Sequence, residues 1–170
     1  TQDATGTMVY LEFESMGIPV VKSKVAVSYV DHNIIQTDSR NADDHRFLQS
    51  CAAKFGVVFS PPGNGVSHHV HRQRFGIPGQ SLLGSDSHTT TGGCLGMLAM
   101  GAGGVEVAMA MAGHPYFIET PKVWGIYVEG RFQPYVSGKD LILELLRRYS
   151  CKGGTGKILE FYGPGVSNMD

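Results

Sequence analysis

Residues 81–93, SLLGSDSHTTTGG, join a short apolar run to a loop of acidic, hydroxyl and imidazole side chains that ends in two glycines. The apolar run at 81–83 comes after Pro78-Gly79, a pair typical of turns, and predicts a β-strand. Hydroxyls and glycine amides at a strand-to-helix turn form an edge that binds anions. The loop at 84–93 therefore predicts a site at the end of a strand, although an elaborate helix cap would use the same residues.

Two further polar clusters follow predicted strands. Asp31 and His32 come directly after residues 24–30, KVAVSYV, and a Pro-Pro-Gly-Asn loop that leads to His68 comes after residues 57–59. In open α/β sheets, ligands bind beyond the carboxyl ends of the strands, where parallel strands bring their loops together. We therefore expect all three clusters to meet at one rim of a parallel sheet.

The rest of the chain alternates between strand and helix patterns. Further strands are predicted at 122–128 and 158–162, and helices at 42–55, 66–75, 94–100, 105–112 and 137–149. Ser137 and Asp140 form a capping-box pattern, and Gly56 is placed to end a helix in the left-handed conformation. This alternation predicts an α/β fold, a three-layer α/β/α arrangement with a mostly parallel sheet, in a single domain over residues 1–170. The opening residues are interpreted as a functional loop.

The composition limits the class of partner. The chain has 170 residues, 42% of them apolar, so it can bury a core. Its formal net charge is −1, so it has no net positive charge that would attract a polyanion. We expect neither a nucleic acid nor a membrane as partner, since no run is long and apolar enough to cross a bilayer. The dispersed cysteines, Cys51, Cys94 and Cys151, favour a reducing compartment over a disulfide framework.

Carboxylates beside imidazoles offer the clearest chemistry in the sequence. A carboxylate fixes the tautomer of a neighbouring imidazole and raises its basicity, so that the histidine can give a proton to a leaving hydroxyl or take one. Two Asp–His sets in one cleft suit the elimination and addition of water. For Asp31-His32 taken alone, a strand-end turn with a surface histidine is the alternative interpretation.

Three histidines at 68–71 raise the question of a zinc site. On a helix, His68 and His71 share a face and His69 does not, and no cysteine or acid stands at ligand spacing. We therefore predict one functional histidine and two surface histidines, and we assign no metal site.

The motifs occur in order along nearly the whole chain. They are Gln2-Asp3-Ala4-Thr5, Asp31-His32, residues 63–68 (GNGVSH), 84–89 (GSDSHT) with Gly92-Gly93, 121–123 (PKV), 152–156 (KGGTG) and 163–165 (GPG). Together they resemble the aconitase family, which comprises aconitate hydratase, homoaconitase and the large subunit of isopropylmalate dehydratase. The segments at 92–96 and 109–115 are more similar to aconitase than to the dehydratase of leucine synthesis.

The resemblance implies an aconitase-like α/β/α domain and the reversible dehydration of a hydroxy tricarboxylate, from citrate to isocitrate through cis-aconitate. It also implies a 4Fe-4S cluster in the full-length protein, which acts as a Lewis acid on the substrate hydroxyl. The expected partners are citrate, isocitrate, cis-aconitate and the remaining aconitase domains. The expected location is cytoplasmic, or the mitochondrial matrix if the source is eukaryotic.

Position by position, the resemblance implies catalytic roles for five residues: Asp31, His32, His68, Asp86 and His88. Asp31 and His32 would handle the departing hydroxyl. His68 and Asp86 would form the second pair, and His88 would line the cavity for cluster and substrate. Gln2 and Ser87 would contact substrate carboxylates.

The chain is expected to be a fragment of a longer aconitase-type protein, because both of its ends look cut. In the family, the three cysteines that bind the cluster, the serine base and the arginines that bind carboxylates lie beyond residue 170, and the three cysteines of this chain do not stand at ligand positions. The isolated fragment is therefore expected to hold no cluster and to be inactive. Two alternatives stay open: a fragment of 3-isopropylmalate dehydratase or homoaconitase, and a non-catalytic domain that binds polycarboxylates.

Overall fold

The structure, a computed structural model, describes residues 1–169, and the chain divides into two compact units, Thr1–Tyr116 and Phe117–Asp170. The elements of the first unit are α1 (Asp3–Ser15), β1 (Val27–Tyr29), α2 (Ser39–Phe55), β2 (Val58–Ser60), α3 (Ser67–Arg74), β3 (Ser81–Gly84), a 3-10 helix (Thr89–Leu95), β4 (Leu98–Gly101) and α4 (Gly104–Met111). The elements of the second unit are β5 (Lys122–Tyr127), α5 (Gly138–Tyr149), β6 (Lys157–Tyr162) and a 3-10 helix (Val166–Asn168). The single domain over residues 1–170 stays a prediction.

The core of the first unit lies among α1, α2 and α4. Val9, Tyr10 and Phe13 stand at helical spacing on α1 and are fully buried, and α2 adds Leu48 and Phe55 to the same cluster. The rings of Phe13 and Phe55 meet edge to face with their centroids 5.0 Å apart. Burying one side chain of this size contributes about 1.5–3 kcal/mol. This apolar cluster therefore fixes the helices behind the strands whose ends carry the polar loops.

The strand pairs are parallel, as predicted. β1 pairs with β2, β3 with β4 and β5 with β6, so the α/β class is confirmed. Within residues 1–169 the strands form three two-stranded sheets, and β1 and β3 belong to different ones.

A cavity of about 600 Å³ is lined by residues of β1, β3 and α3. At the edge of β1, Gln2 makes a parallel bridge to Tyr29, and the Tyr29 N–H donates to the Thr1 carbonyl at 3.0 Å.

Two predictions of local structure are wrong. The helix predicted at 94–100 is absent: the 3-10 helix that precedes it ends at Gly96, whose φ of 72° is left-handed, and the chain continues into β4. A left-handed glycine at this position stops a helix. The opening residues, interpreted as a loop, form α1 instead, because the Gln2 side chain caps the helix and its apolar residues fall on one buried face.

The second unit is a parallel strand pair with one helix. The predicted capping box of α5 is confirmed, since Asp140 Oδ2 accepts the N–H and the hydroxyl of Ser137 at 2.8 and 3.0 Å. The Trp124 ring on β5 lies 5.4 Å from the Tyr149 ring of α5, between centroids. No helix within residues 1–169 is long and apolar enough to span a membrane.

Candidate active site

The three predicted polar clusters meet at the carboxylate of Asp86. Its Oδ1 lies 2.8 Å from Nε2 of His68, and its Oδ2 lies 3.2 Å from Nε2 of His32. Oδ1 also accepts the backbone N–H of His88 at 2.7 Å. The Asp86 side chain is only 9% exposed, so these protein groups surround the carboxylate in place of solvent. The predicted convergence of the loops after β1, β2 and β3 is therefore confirmed.

Two glycines allow the loop that carries Asp86 to pack closely against the ends of β3 and β4. Gly84 and Gly101 face each other in the last register position of β3 and β4. A Cβ on Gly84 would lie 2.4 Å from Thr89 Oγ1, and a Cβ on Gly101 would lie 2.8 Å from the carbonyl oxygen of Asp86. The Thr89 hydroxyl donates to that carbonyl at 2.7 Å and closes the turn. Any side chain at these glycines would push Asp86 away from its histidines.

Asp31 joins the end of β1 to the start of α3. One of its oxygens, Oδ1, lies 2.9 Å from Nδ1 of His32, and the other, Oδ2, accepts the N–H of Ser67 at 2.7 Å. A free N–H in the first turn of a helix is a favourable partner for a carboxylate. With its side chain 4% exposed, Asp31 therefore orients the His32 ring and positions the helix that carries His68.

A third carboxylate, Asp3, organises the loop beneath these pairs, and the sequence pattern did not single it out as a site residue. Asp3 Oδ1 accepts the N–H groups of Asp31 and His32 at 3.2 and 2.9 Å, and Oδ2 accepts that of Asn33 at 2.6 Å. Its side chain is buried, so the three donors turn toward one anion. The available signal was its place beside Gln2 in the first motif, although nothing in the sequence connects that motif to residues 31–33.

The electrostatics keep both main carboxylates ionised. Burial alone raises the pKa of Asp31 and of Asp86, because a charge is disfavoured away from water. Hydrogen bonds from Ser67 and His32 more than offset this for Asp31, and the His88 N–H with the nearby imidazoles does the same for Asp86. The pKa of each carboxyl therefore lies below its ordinary value of 3.8.

For His32, burial and the neighbouring charges shift the pKa in the opposite directions to those for the two carboxyls. Burial lowers its pKa, but the hydrogen bond to Asp31 and the negative charges of Asp31, Asp3 and Asp86 outweigh burial, so the pKa is raised above 6.5. The ring is 40% exposed, which leaves it open to a ligand and lets solvent weaken these charge interactions. His32 is thus an imidazole whose charged form is favoured by the carboxylates around it, and it is reachable from solvent.

The remaining predicted residues lie around this junction. Ser87 and His88 are exposed on the loop, with Ser87 Oγ 3.2 Å from His88 Nδ1. The His88 ring lies 5.9 Å from the His68 ring, between centroids. Gln2 is buried, and its Oε1 accepts the N–H of Ala4 at 2.5 Å, so its side chain also caps α1. The catalytic and substrate-binding roles of all seven residues stay predictions.

The three-histidine segment differs in part from its prediction. His69 is exposed and lies beside Arg72, as expected of a surface histidine. His71 is not a surface residue: its Nδ1 lies 2.9 Å from the hydroxyl of Tyr29, a buried side chain of β1. Helical spacing places His68 and His71 on one face, but it could not show that Tyr29 of a distant strand meets that face.

Two groups of side chains approach metal-ligand geometry. Their ligand atoms lie within 4.8 Å of one another in the sets His68, Asp86, His88 and Asp3, Asp31, His32. The carboxylates in both sets already accept hydrogen bonds from imidazoles or from backbone N–H groups, which accounts for the clustering. An iron–sulfur cluster needs thiolates, and the chain's cysteines lie elsewhere: Cys51 in the core, Cys94 beside Arg72 and Cys151 exposed in the second unit. The residues of this chain do not fit as cluster ligands.

Fold and geometry together define an α/β protein with an acid–base junction at the carboxyl ends of its parallel strands. The sequence pattern of the aconitase family (aconitate hydratase) matches residues 1–170, and the chain belongs to that family. It is 39% identical to the mitochondrial aconitate hydratase of Saccharomyces cerevisiae, and 37% identical to those of Schizosaccharomyces pombe and Candida albicans. These matches cover 99% of the chain but only 22–23% of each relative, so the chain spans less than a quarter of their length.

Proposed function

We propose that the protein containing this chain is an aconitate hydratase, a hydro-lyase that interconverts citrate and isocitrate through cis-aconitate. The observation that carries the proposal is the junction at Asp86, whose carboxylate lies 3.2 Å from the His32 imidazole and 2.8 Å from that of His68. A hydroxyl that leaves as water needs a proton donor at its oxygen, and the same donor must take the proton back on hydration. An imidazole held between carboxylates suits both directions.

His32 is the proposed donor. In its protonated form, Nδ1–H donates to Asp31 Oδ1 at 2.9 Å, and Nε2 lies 3.2 Å from Asp86 Oδ2. Its raised pKa means that more of it is protonated at neutral pH than of an ordinary histidine. On dehydration, a base from another part of the protein takes the proton of the neighbouring carbon, the C–H electron pair forms the double bond, the C–O bond breaks, and the hydroxyl leaves as water with the Nε2 proton of His32. On hydration, neutral His32 takes a proton from the incoming water as its oxygen adds to one carbon, and the base returns its proton to the other carbon.

The other residues of the junction would hold the substrate. Nε2 of His68 lies 2.8 Å from Oδ1 of Asp86, while Ser87 and His88 are exposed on the loop that carries Asp86. Their hydroxyl and imidazole N–H groups are donors of the kind that bind the carboxylates of citrate, isocitrate and cis-aconitate. Gln2 would use its amide N–H groups, since its Oε1 accepts from the α1 backbone.

The family also implies a 4Fe-4S cluster in the whole protein. Within residues 1–169 no thiol stands at the junction. The ligands of the cluster would therefore come from other parts of the protein, which would also supply the remaining aconitase domains. When bound, such a cluster supplies a Lewis acid for the substrate hydroxyl. The proton transfer proposed above at the hydroxyl oxygen uses only a side chain of this chain. The relatives are named as mitochondrial, and we propose the mitochondrial matrix if the source is eukaryotic and the cytoplasm otherwise.

The test is the substrate profile of the full-length protein after reconstitution with iron and sulfide. We expect hydration of cis-aconitate with a kcat/KM at least tenfold above that for isopropylmaleate or homoaconitate. A preference for isopropylmaleate or homoaconitate would replace the proposal with the related dehydratases. Turnover of none of these acids, with citrate binding seen by calorimetry, would favour a non-catalytic domain that binds polycarboxylates.

A further inference from the structure

The end of β1 holds α3 at two points that flank His68. Asp31 Oδ2 accepts the N–H of Ser67, at the first residue of the helix, at 2.7 Å. The Tyr29 hydroxyl lies 2.9 Å from Nδ1 of His71, one turn further along. Tyr29 and Asp31 are two residues apart and both reach the helix, which is the spacing of side chains on one side of an extended strand. His68 lies between the two attachments.

We propose that the Tyr29–His71 hydrogen bond is a positioning contact that fixes α3 relative to the end of β1 and thereby keeps Nε2 of His68 in reach of Asp86. The inference rests on the proposed function for its catalytic consequence, but the contact itself does not. Tyr29 and His71 touch no group of the Asp86 junction directly, so they are positioning residues rather than catalytic ones.

The contact is partly buried and joins two groups whose neutral forms are favoured, which makes it directional and insensitive to salt. Tyr29 is 5% exposed, and burial raises the pKa of its hydroxyl. Burial also lowers the pKa of His71, and the nearby His68 acts in the same direction. Both shifts favour the neutral forms, and the bond between hydroxyl and imidazole fixes a distance and an angle.

The position of His68 relative to Asp86 should depend on the Tyr29–His71 hydrogen bond. Nε2 of His68 lies 2.8 Å from Oδ1 of Asp86, and His68 stands on a short helix of eight residues, Ser67–Arg74. The N-cap position of that helix has no side-chain hydrogen bond, so its own capping does not fix it. A shift of about 1 Å in a catalytic group costs on the order of a hundredfold in rate. Loss of the Tyr29 bond would allow a shift of this kind.

The experiment uses the full-length protein and four variants: Tyr29→Phe, His71→Leu, His71→Asn and, as the matched control, Tyr10→Phe. Tyr10 is also a buried tyrosine, but it belongs to α1 and the core, and within residues 1–169 its hydroxyl makes no hydrogen bond to α3. We expect Tyr29→Phe and His71→Leu each to lower kcat for cis-aconitate about ten- to hundredfold with little change in KM, and the double variant to be no worse than either. His71→Asn, whose amide places a polar atom near the position of Nδ1, should recover most of kcat.

Two readouts separate positioning from a general loss of stability. In a His68→Gln background, Tyr29→Phe should cause no further loss of kcat, whereas a full additional loss would overturn the proposal. Hydrogen exchange of the α3 amides, followed by mass spectrometry, should speed up in Tyr29→Phe and not in Tyr10→Phe; unchanged exchange would also overturn it. The exchange experiment needs no turnover. A protein that is inactive toward cis-aconitate would therefore refute the proposed function alone.

Discussion

Oδ1 of Asp86 and Nε2 of His68 lie 2.8 Å apart, although Asp86 follows β3 and His68 stands on α3, which follows the other strand pair, β1 and β2. The same carboxylate reaches His32 with its other oxygen at 3.2 Å. One side chain thus connects two histidines and sets the distance between them. The junction should be more sensitive to the charge of Asp86 than to any other single change.

Replacing Asp86 with asparagine tests this directly. Asn has nearly the same shape but carries no charge, so it keeps the loop and removes the anion that lies between the His32 and His68 imidazoles. General acid–base groups contribute about 10²- to 10⁴-fold to rate, and we expect kcat of the full-length protein to fall by about 10³-fold. The control is Asp43→Asn on the exposed face of α2, which should retain wild-type activity. A loss of less than threefold in Asp86→Asn would refute the central role of this carboxylate.

Asp3 should matter for stability. Asp3→Ala leaves the N–H groups of residues 31–33 without their acceptor, and each buried donor so exposed costs about 1–3 kcal/mol, of which water recovers part. We expect the free energy of unfolding to fall by about 3 kcal/mol, measured by urea denaturation. Asp44→Ala, at an exposed position of α2, should change it by less than about 0.5 kcal/mol. Equal effects of the two substitutions would show that Asp3 does not hold the loop.

The charge environment of His32 predicts a specific titration. Asp31→Asn removes the partner of Nδ1 and one negative charge, so the raised pKa of His32 should fall. Histidine ring resonances followed by NMR across the pH range measure this, with Asp43→Asn as the control that leaves His32 unchanged. An unchanged His32 pKa in Asp31→Asn would mean that Asp31 does not support its charge.

The same shifts give a sign for stability. Because the folded pKa of His32 lies above its ordinary value of 6.5, its contribution is fully present below pH 6.5 and is lost as the pH rises through the folded pKa. The lowered pKa values of Asp31 and Asp86 act in the opposite window: their contribution is present above 3.8 and is lost as the pH falls through the folded values. His32→Gln should therefore flatten the unfolding free energy above pH 6.5 and leave the acid limb in place.

The sequence predicted much of this arrangement because strand ends are local signals. A run such as KVAVSYV followed by Asp31-His32 marks both a strand and the place where its loop begins. Parallel pairing of β1 with β2 brings the segments that lead to Asp31 and His68 to one edge, whereas Asp86 follows β3 of another strand pair. The approach of Asp86 to His32 and His68 is seen in the side-chain distances and not in the strand pairing. The resemblance to the aconitase family supplied the roles that topology does not give.

Other features depend on contacts that leave no local pattern. Asp3 is one acid at the start of a helix, and its role appears only when residues 31–33 turn toward it. The bond from Tyr29 to His71 joins a strand and a helix that the sequence alone does not bring together. The error at 94–100 has a different cause, since small apolar residues suit a helix and a strand equally and the left-handed Gly96 decides between them.

Gly101 predicts how tightly the Asp86 loop is held. In Gly101→Ala, the new Cβ would meet the Asp86 carbonyl oxygen at 2.8 Å, a backbone atom that cannot move without carrying the loop with it. We expect kcat for cis-aconitate to fall at least tenfold, with the unfolding free energy lowered by about 1–3 kcal/mol as for other overpacked sites. Gly154→Ala is the control, because a Cβ there meets nothing within 4 Å. Wild-type kcat in Gly101→Ala would show that the loop tolerates displacement.

The cysteines provide a test of where the cluster is held. Cys51 is buried in the core, Cys94 is exposed beside Arg72, Cys151 is exposed in the second unit, and no thiol belongs to the two side-chain groups of metal-ligand geometry within residues 1–169. A full-length variant with Cys51→Ala, Cys94→Ser and Cys151→Ser should therefore reconstitute the same visible iron–sulfur absorbance per protein as the wild type. Residues 1–170 alone, treated in the same way, should show no such absorbance and no hydration of cis-aconitate. A cluster that forms on residues 1–170, or that is lost in the triple variant, would mean that thiols of this chain are ligands after all.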